Sequence, residues 1–83
     1  MKKILIVNKE KPRNEIIRDI TKEAREIEYK KDNLARRLKG CRFVQEQQFF
    51  FMLKKICLEE LKPMIKDVLI CDKDKFEEYL EKY

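Results

Sequence analysis

The chain has 83 residues, 45% of them charged, a net charge of +5, one Gly, three Cys and no His. That length bounds it to one small domain, residues 1–83, whose core is modest and of the kind often supported by disulfides, metal or oligomerisation. The lack of His removes the commonest general base and the commonest transition-metal ligand, and a single Gly in a highly charged chain points to helices rather than to a turn-rich β protein.

Ile4-Leu5-Ile6-Val7 is an apolar run with β-branched members. It reads as a short buried strand or as an apolar arm that packs on a partner. Residues 8–11 form a polar connection. Pro12 suits the first turn of a helix, where its missing N–H costs little. From there the spacing predicts one long helix over residues 12–39. Ile17, Ile20, Ala24, Ile27, Leu34 and Leu38 follow alternating steps of three and four, as in a coiled-coil seam, with Lys31 interrupting. Gly40 is placed to end it as a left-handed C′ residue.

The densest apolar patch is Phe49-Phe50-Phe51-Met52-Leu53. Read as a helix over residues 43–61, it sets Phe49, Phe50, Leu53, Ile56, Cys57 and Leu61 on one side, while Phe51 and Leu58 fall well round from them. The apolar arc is roughly 200° wide, about twice what a one-sided surface helix needs. A strand here is disfavoured, because Gln45-Glu46-Gln47-Gln48 does not alternate. The short link after Gly40 implies a long antiparallel helical hairpin. One hairpin cannot cover so wide an arc, so Phe49, Phe50, Phe51 and Leu53 are expected as core or interface, and a homodimer is expected.

Pro63 should end or kink that helix. Residues 64–71 fit either a helix carrying Ile65, Val68 and Leu69 or a strand beside Ile4–Val7; the reading adopted is helix. Asp72 or Asp74 can N-cap a short last helix with Phe76, Tyr79, Leu80 and Tyr83 as its stripe. The expected fold is thus mainly α: a long antiparallel hairpin, a short C-terminal helix and an N-terminal strand or arm.

Cys41, Cys57 and Cys71 are odd in number and lack a C-x-x-C pair, so no zinc site is expected. On one helix Cys41 and Cys57 would stand about 24 Å apart, too far to bridge. They are read as buried, reduced thiols. No segment approaches ~20 apolar residues, so no membrane span is expected. The first residues look like the opening of a signal peptide, but the run stops at Asn8, and the expected location is the cytoplasm.

Charge is unevenly distributed. Residues 1–42 hold 14 Lys/Arg against 7 Asp/Glu, and residues 43–83 hold 7 against 9. Lys30, Lys31, Arg36, Arg37, Lys39 and Arg42 form the concentrated part, a pattern suited to phosphates or to an acidic partner. Within it, residues 34–45 resemble a helix-turn-helix: a small residue, Ala35, then the Gly40 turn, then polar Gln45 to Gln48. The stretch departs from that motif by one extra residue between Ala35 and Gly40. Glu59-Glu60 and Glu77-Glu78 read as solvated-face pairs. There is no Ser/His/Asp triad, P-loop or dinucleotide fingerprint, and Thr21 is the sole Ser or Thr. An enzyme is not expected, and no cofactor. The expected function is a protein–protein interaction module, an adaptor or inhibitor. The alternative is a basic nucleic-acid-binding regulator using residues 30–42.

Overall fold

A computed structural model of the chain describes residues 2–26, 33–41 and 45–83. It is mainly helical, with a two-stranded parallel sheet. The order is β1 (Lys3–Asn8), α1 (Arg13–Glu26), α2 (Asn33–Lys39), α3 (Glu46–Glu60), β2 (Ile65–Cys71) and α4 (Lys73–Lys82).

The N-terminal apolar run is a strand, as its β-branched composition favours. Its partner is β2, in register from Ile4 opposite Asp67 to Asn8 opposite Cys71, with an irregularity between Lys3 and Ile4. The adopted helix over residues 64–71 is therefore corrected to its alternative. α3 stops at Glu60, just before Pro63, and a tight turn follows in which Met64 and Ile65 donate N–H to the Leu61 carbonyl at 2.8 and 3.0 Å. Val68, Leu69 and Ile70 then find an equally apolar strand to pair with. That partner is remote in sequence, where helical periodicity cannot register it.

α1 starts where Pro12 presents its carbonyl to the N–H groups of Glu15 and Ile16, at 3.1 and 3.0 Å. Its buried residues Ile17, Ile20 and Ala24 match the predicted seam, and Ile16 is buried beside them. α2 continues the same stripe with Leu34 and Leu38. The single long helix is corrected, because α1 packs on α2 and α2 packs on α3. Collinear parts of one helix cannot touch in this way. A 28-residue helix would also span about 42 Å, longer than the molecule's largest extent of 35 Å. Ile27 and Lys31 lie outside the described residues. Gly40 is corrected too: its backbone is not in the left-handed region, and its N–H continues the helix to the Arg36 carbonyl at 3.0 Å.

The wide arc of α3 is real. Phe49, Leu53, Ile56 and Cys57 are buried, and Phe50, Met52 and Leu58 pack partly against the core. What covers the arc, Phe51 excepted, is the rest of this chain. Leu5, Val7, Ile65 and Val68 from the sheet join the buried residues of α1, α2 and α3 in one cluster. Register partners share a sheet face, so Leu5 and Val68 point to these helices, and Ile4 and Ile6 to the opposite side. There α4 crosses β1. Asp72 caps it by accepting the Lys75 N–H at 3.0 Å, as its sequence predicts.

Phe49→Ala should lower unfolding free energy by about 3–5 kcal/mol. Phe51, 70% exposed, should change it by less than about 0.5 kcal/mol when replaced by Ala. Urea unfolding of both variants checks the assignment.

Candidate functional site

The basic cluster is only partly a cluster. Lys30, Lys31 and Arg42 lie outside the described residues. Arg37 spans from α2 to α3: one guanidinium nitrogen donates to Glu60 Oε1 at 2.8 Å and the other to Glu59 Oε2 at 2.9 Å. Hydrogen bonding to Glu60 first, and to Glu59 second, raises the Arg37 pKa. The Glu59-Glu60 pair read as solvated is therefore the anchor for Arg37, and Arg37 is occupied within the fold. Arg36 and Lys39 are exposed. The residues resembling a helix-turn-helix fall on the end of α2 and the start of α3, with Gln45 to Gln48 exposed. Their turn, residues 42–44, is outside the described residues.

The Phe-rich patch divides by depth. Phe49 and Leu53 are buried at 1% and 0% exposure and belong to the core. Phe50 is half-buried against the core, with its ring edge-on to Phe49 at 5.4 Å. Only Phe51 faces out, and one exposed aromatic is ordinary for a protein surface.

A different surface has the shape of a binding site. A groove of about 470 Å³ runs along the whole of β1, from Lys3 to Asn8. Its walls are α1, with Asp19 and Glu23, and α4, with Phe76, Leu80 and Tyr83. Its floor is the strand's outer edge. Lys3 donates N–H to the Met64 carbonyl at 3.1 Å and Lys9 to the Cys71 carbonyl at 2.9 Å. Odd-numbered backbone groups therefore face β2. By alternation, the N–H and C=O groups of Ile4 and Ile6 face the groove. At Asn8 the edge closes: its carbonyl accepts the Lys11 N–H at 3.2 Å, and its Oδ1 accepts the Glu10 N–H at 2.9 Å.

The ends of the groove are pinned by charge. Lys3 pairs with Glu23, and Lys11 with Asp19 at 3.1 Å. Lys11 also lies over the Phe76 ring, 5.2 Å from its centre. α4 itself buries no residue completely, and Leu80 and Tyr83 are each 57% exposed. Sequence reasoning placed these two on the C-terminal stripe but assigned them no role. The signal available was a four-residue apolar strand in a chain with only one other candidate strand, which, among the described residues, leaves one of its edges unpaired.

Among the described residues no three His, Cys, Asp or Glu side chains gather as metal ligands, and no buried side-chain nitrogen or oxygen lacks a partner. No helix is long and apolar enough to cross a membrane among the described residues. Cys57 and Cys71 are buried and Cys41 is half-buried, all three unbridged. Cys57 is pushed up to about 12 by burial alone. Comparison with models of known protein families, with curated proteins and with solved structures finds no match.

The Cys57 thiol makes a pH prediction. The fold prefers the neutral thiol, so the folded state keeps its proton longer than the unfolded chain. Below an ordinary thiol pKa near 9, both states are protonated and stability is unaffected. Between there and about 12, the Cys57 contribution falls as pH rises, with a slope approaching ~1.4 kcal/mol per pH unit. Urea titrations from pH 8 to 11 should show a steeper loss in the parent chain than in Cys57→Ala.

Proposed function

We propose that this protein is a non-enzymatic protein–protein interaction module that engages partners through the open edge of β1. One observation carries the reading: the backbone groups of Ile4 and Ile6 sit at the floor of a groove with an apolar wall, Phe76, Leu80 and Tyr83. This is the arrangement used in strand addition. Backbone hydrogen bonds supply affinity there, and alternate side chains supply selectivity. The role fits an adaptor or inhibitor, whose work is occupancy of a surface. Three unbridged thiols favour a reducing compartment, the cytoplasm.

Nucleic-acid binding is the second reading, and one observation favours it. Arg36 and Lys39 are exposed on α2, and no ion pair engages either of them among the described residues. Against it, Arg37 is held by two carboxylates. That removes the residue between them from the set that could meet a phosphate without first breaking an internal contact.

Native capture with and without nuclease separates the two. For a protein module, the captured partner survives nuclease, survives Arg36→Gln with Lys39→Gln, and is lost in Leu80→Lys. For a nucleic-acid binder, labelled duplex binds with a log–log salt slope near −0.9 per phosphate contact. That slope then falls in the Arg36→Gln, Lys39→Gln variant.

A further inference from the structure

The groove has features that select one occupant. Its charged residues are Lys3, Lys11 and Lys22 against Asp19, Glu23 and Glu26. It is electrically balanced in a chain whose net charge is +5, so two copies can meet there without the repulsion they would feel elsewhere. α1 runs back along β1, so that Glu26 stands at the Lys3 end of the groove, and Lys11, at the Asn8 end, has its charge already met by Asp19.

We infer that the occupant is the β1 edge of a second copy of this chain, paired antiparallel about a two-fold axis, giving a continuous four-stranded sheet β2-β1-β1-β2. This deepens the protein-binding reading and rests on it. A two-fold axis perpendicular to the sheet keeps each face on its own side. Directly opposed residues must then have the same parity, so their numbers add to an even total. Within β1 itself, two registers bring both Ile4 and Ile6 into hydrogen bonding; an Ile4-centred third would set Ile6 opposite Lys2, which lies outside the strand.

In the first register, Leu5 lies opposite the second copy's Leu5, and Ile4 opposite the second copy's Ile6. The N–H and C=O groups of both isoleucines are then used in both copies. The second register centres on Ile6 and has two faults. It sets Lys3 opposite Lys9, and like charges directly opposed are unfavourable. It also calls on the Asn8 carbonyl, which already accepts the Lys11 N–H. The Leu5-centred register is the one formed.

The same axis accounts for α4. That helix starts at the Asn8 end of β1, where Lys73 donates N–H to Glu10 Oε2 at 2.7 Å. It runs back along the strand, bringing Leu80 and Tyr83 toward its middle. In the dimer the two copies of α4 lie antiparallel, and these exposed side chains cover each other. On the opposite face the two copies of α1 likewise lie antiparallel.

The test uses the full chain. Light scattering at ~100 μM should give twice the 10.2 kDa chain mass. Leu80→Lys changes a side chain exposed in the single copy, so the melt should stay cooperative while dimerisation weakens at least ~10-fold. Ile6→Pro removes an N–H that faces only the open edge, and should also give monomers. Phe51→Lys, exposed on α3, should leave the dimer intact.

Amide exchange reads the register. Ile4 and Ile6 amides should be protected at high concentration and lose protection on dilution, while Leu5 and Val7, bonded to β2, stay protected throughout. Monomer mass for the parent chain at 100 μM overturns the inference, as does a dimer indifferent to Leu80→Lys or abolished by Phe51→Lys. A monomeric chain whose nuclease-resistant partner is lost in Leu80→Lys would sink the self-pairing and leave the interaction module standing. A monomer that captures the same partner with either residue would sink both.

Discussion

The pairing of β1 with β2 is the constraint from which the remaining architecture follows. The two strands come from opposite ends of the chain and run parallel, so the connection between them must cross over rather than turn back. Three helices form the described parts of that crossover, and they bury Leu5, Val7 and Val68 from one side. A parallel sheet is stable only when both faces are covered. The second face falls to α4, a ten-residue helix with no fully buried residue. The fold is thus well packed on one side of its sheet and thinly covered on the other.

The charge-rich surface is used as a set of struts. Arg37 joins α2 to α3 through Glu59 and Glu60, Lys3 joins β1 to α1 through Glu23, and Lys54 joins α3 to β2 through Asp67 at 3.5 Å. Each such pair is half-exposed and individually weak. Their common feature is that each bridges two elements, which makes them determinants of how the layers sit rather than a reservoir of stability. The two-carboxylate grip on Arg37 also takes charge away from the one concentrated basic region of the sequence.

The features legible in the sequence were those set by local pattern. The buried stripe of α1, the Phe49-centred arc, the Asp72 cap and the N-terminal strand all follow from spacing or from a single side chain. The features missed depend on partners far away in the chain. Val68 to Ile70 is a strand because of Ile4 to Val7. α1 and α2 are separate packed helices although Ile17 to Leu38 keeps one unbroken rhythm of threes and fours. That rhythm is satisfied equally by one long seam or by two helices burying the same stripe against a shared core. The dimer expected from the α3 arc loses most of its original motive, since the sheet and the other helices cover that arc except at Phe51; the open edge of β1 supplies a different one.

The two outer edges of the sheet differ in a way that bears on that edge. On β2 the outer side is guarded. Asp67 Oδ1 accepts the Val68 N–H at 2.8 Å, and Lys54 sits beside the same carboxylate. Capped donors and charges are among the usual means by which proteins stop a strand from recruiting another. β1 has charge only at Lys3, with Lys11 beyond its other end, and between them Ile4 and Ile6 present their backbone to a groove. An edge guarded on one strand and left open on the other is what a sheet needs if it is to accept one additional strand, in one place, without unlimited extension. A two-fold pairing through β1 would leave only guarded β2 edges outside, and so would close the assembly at two copies.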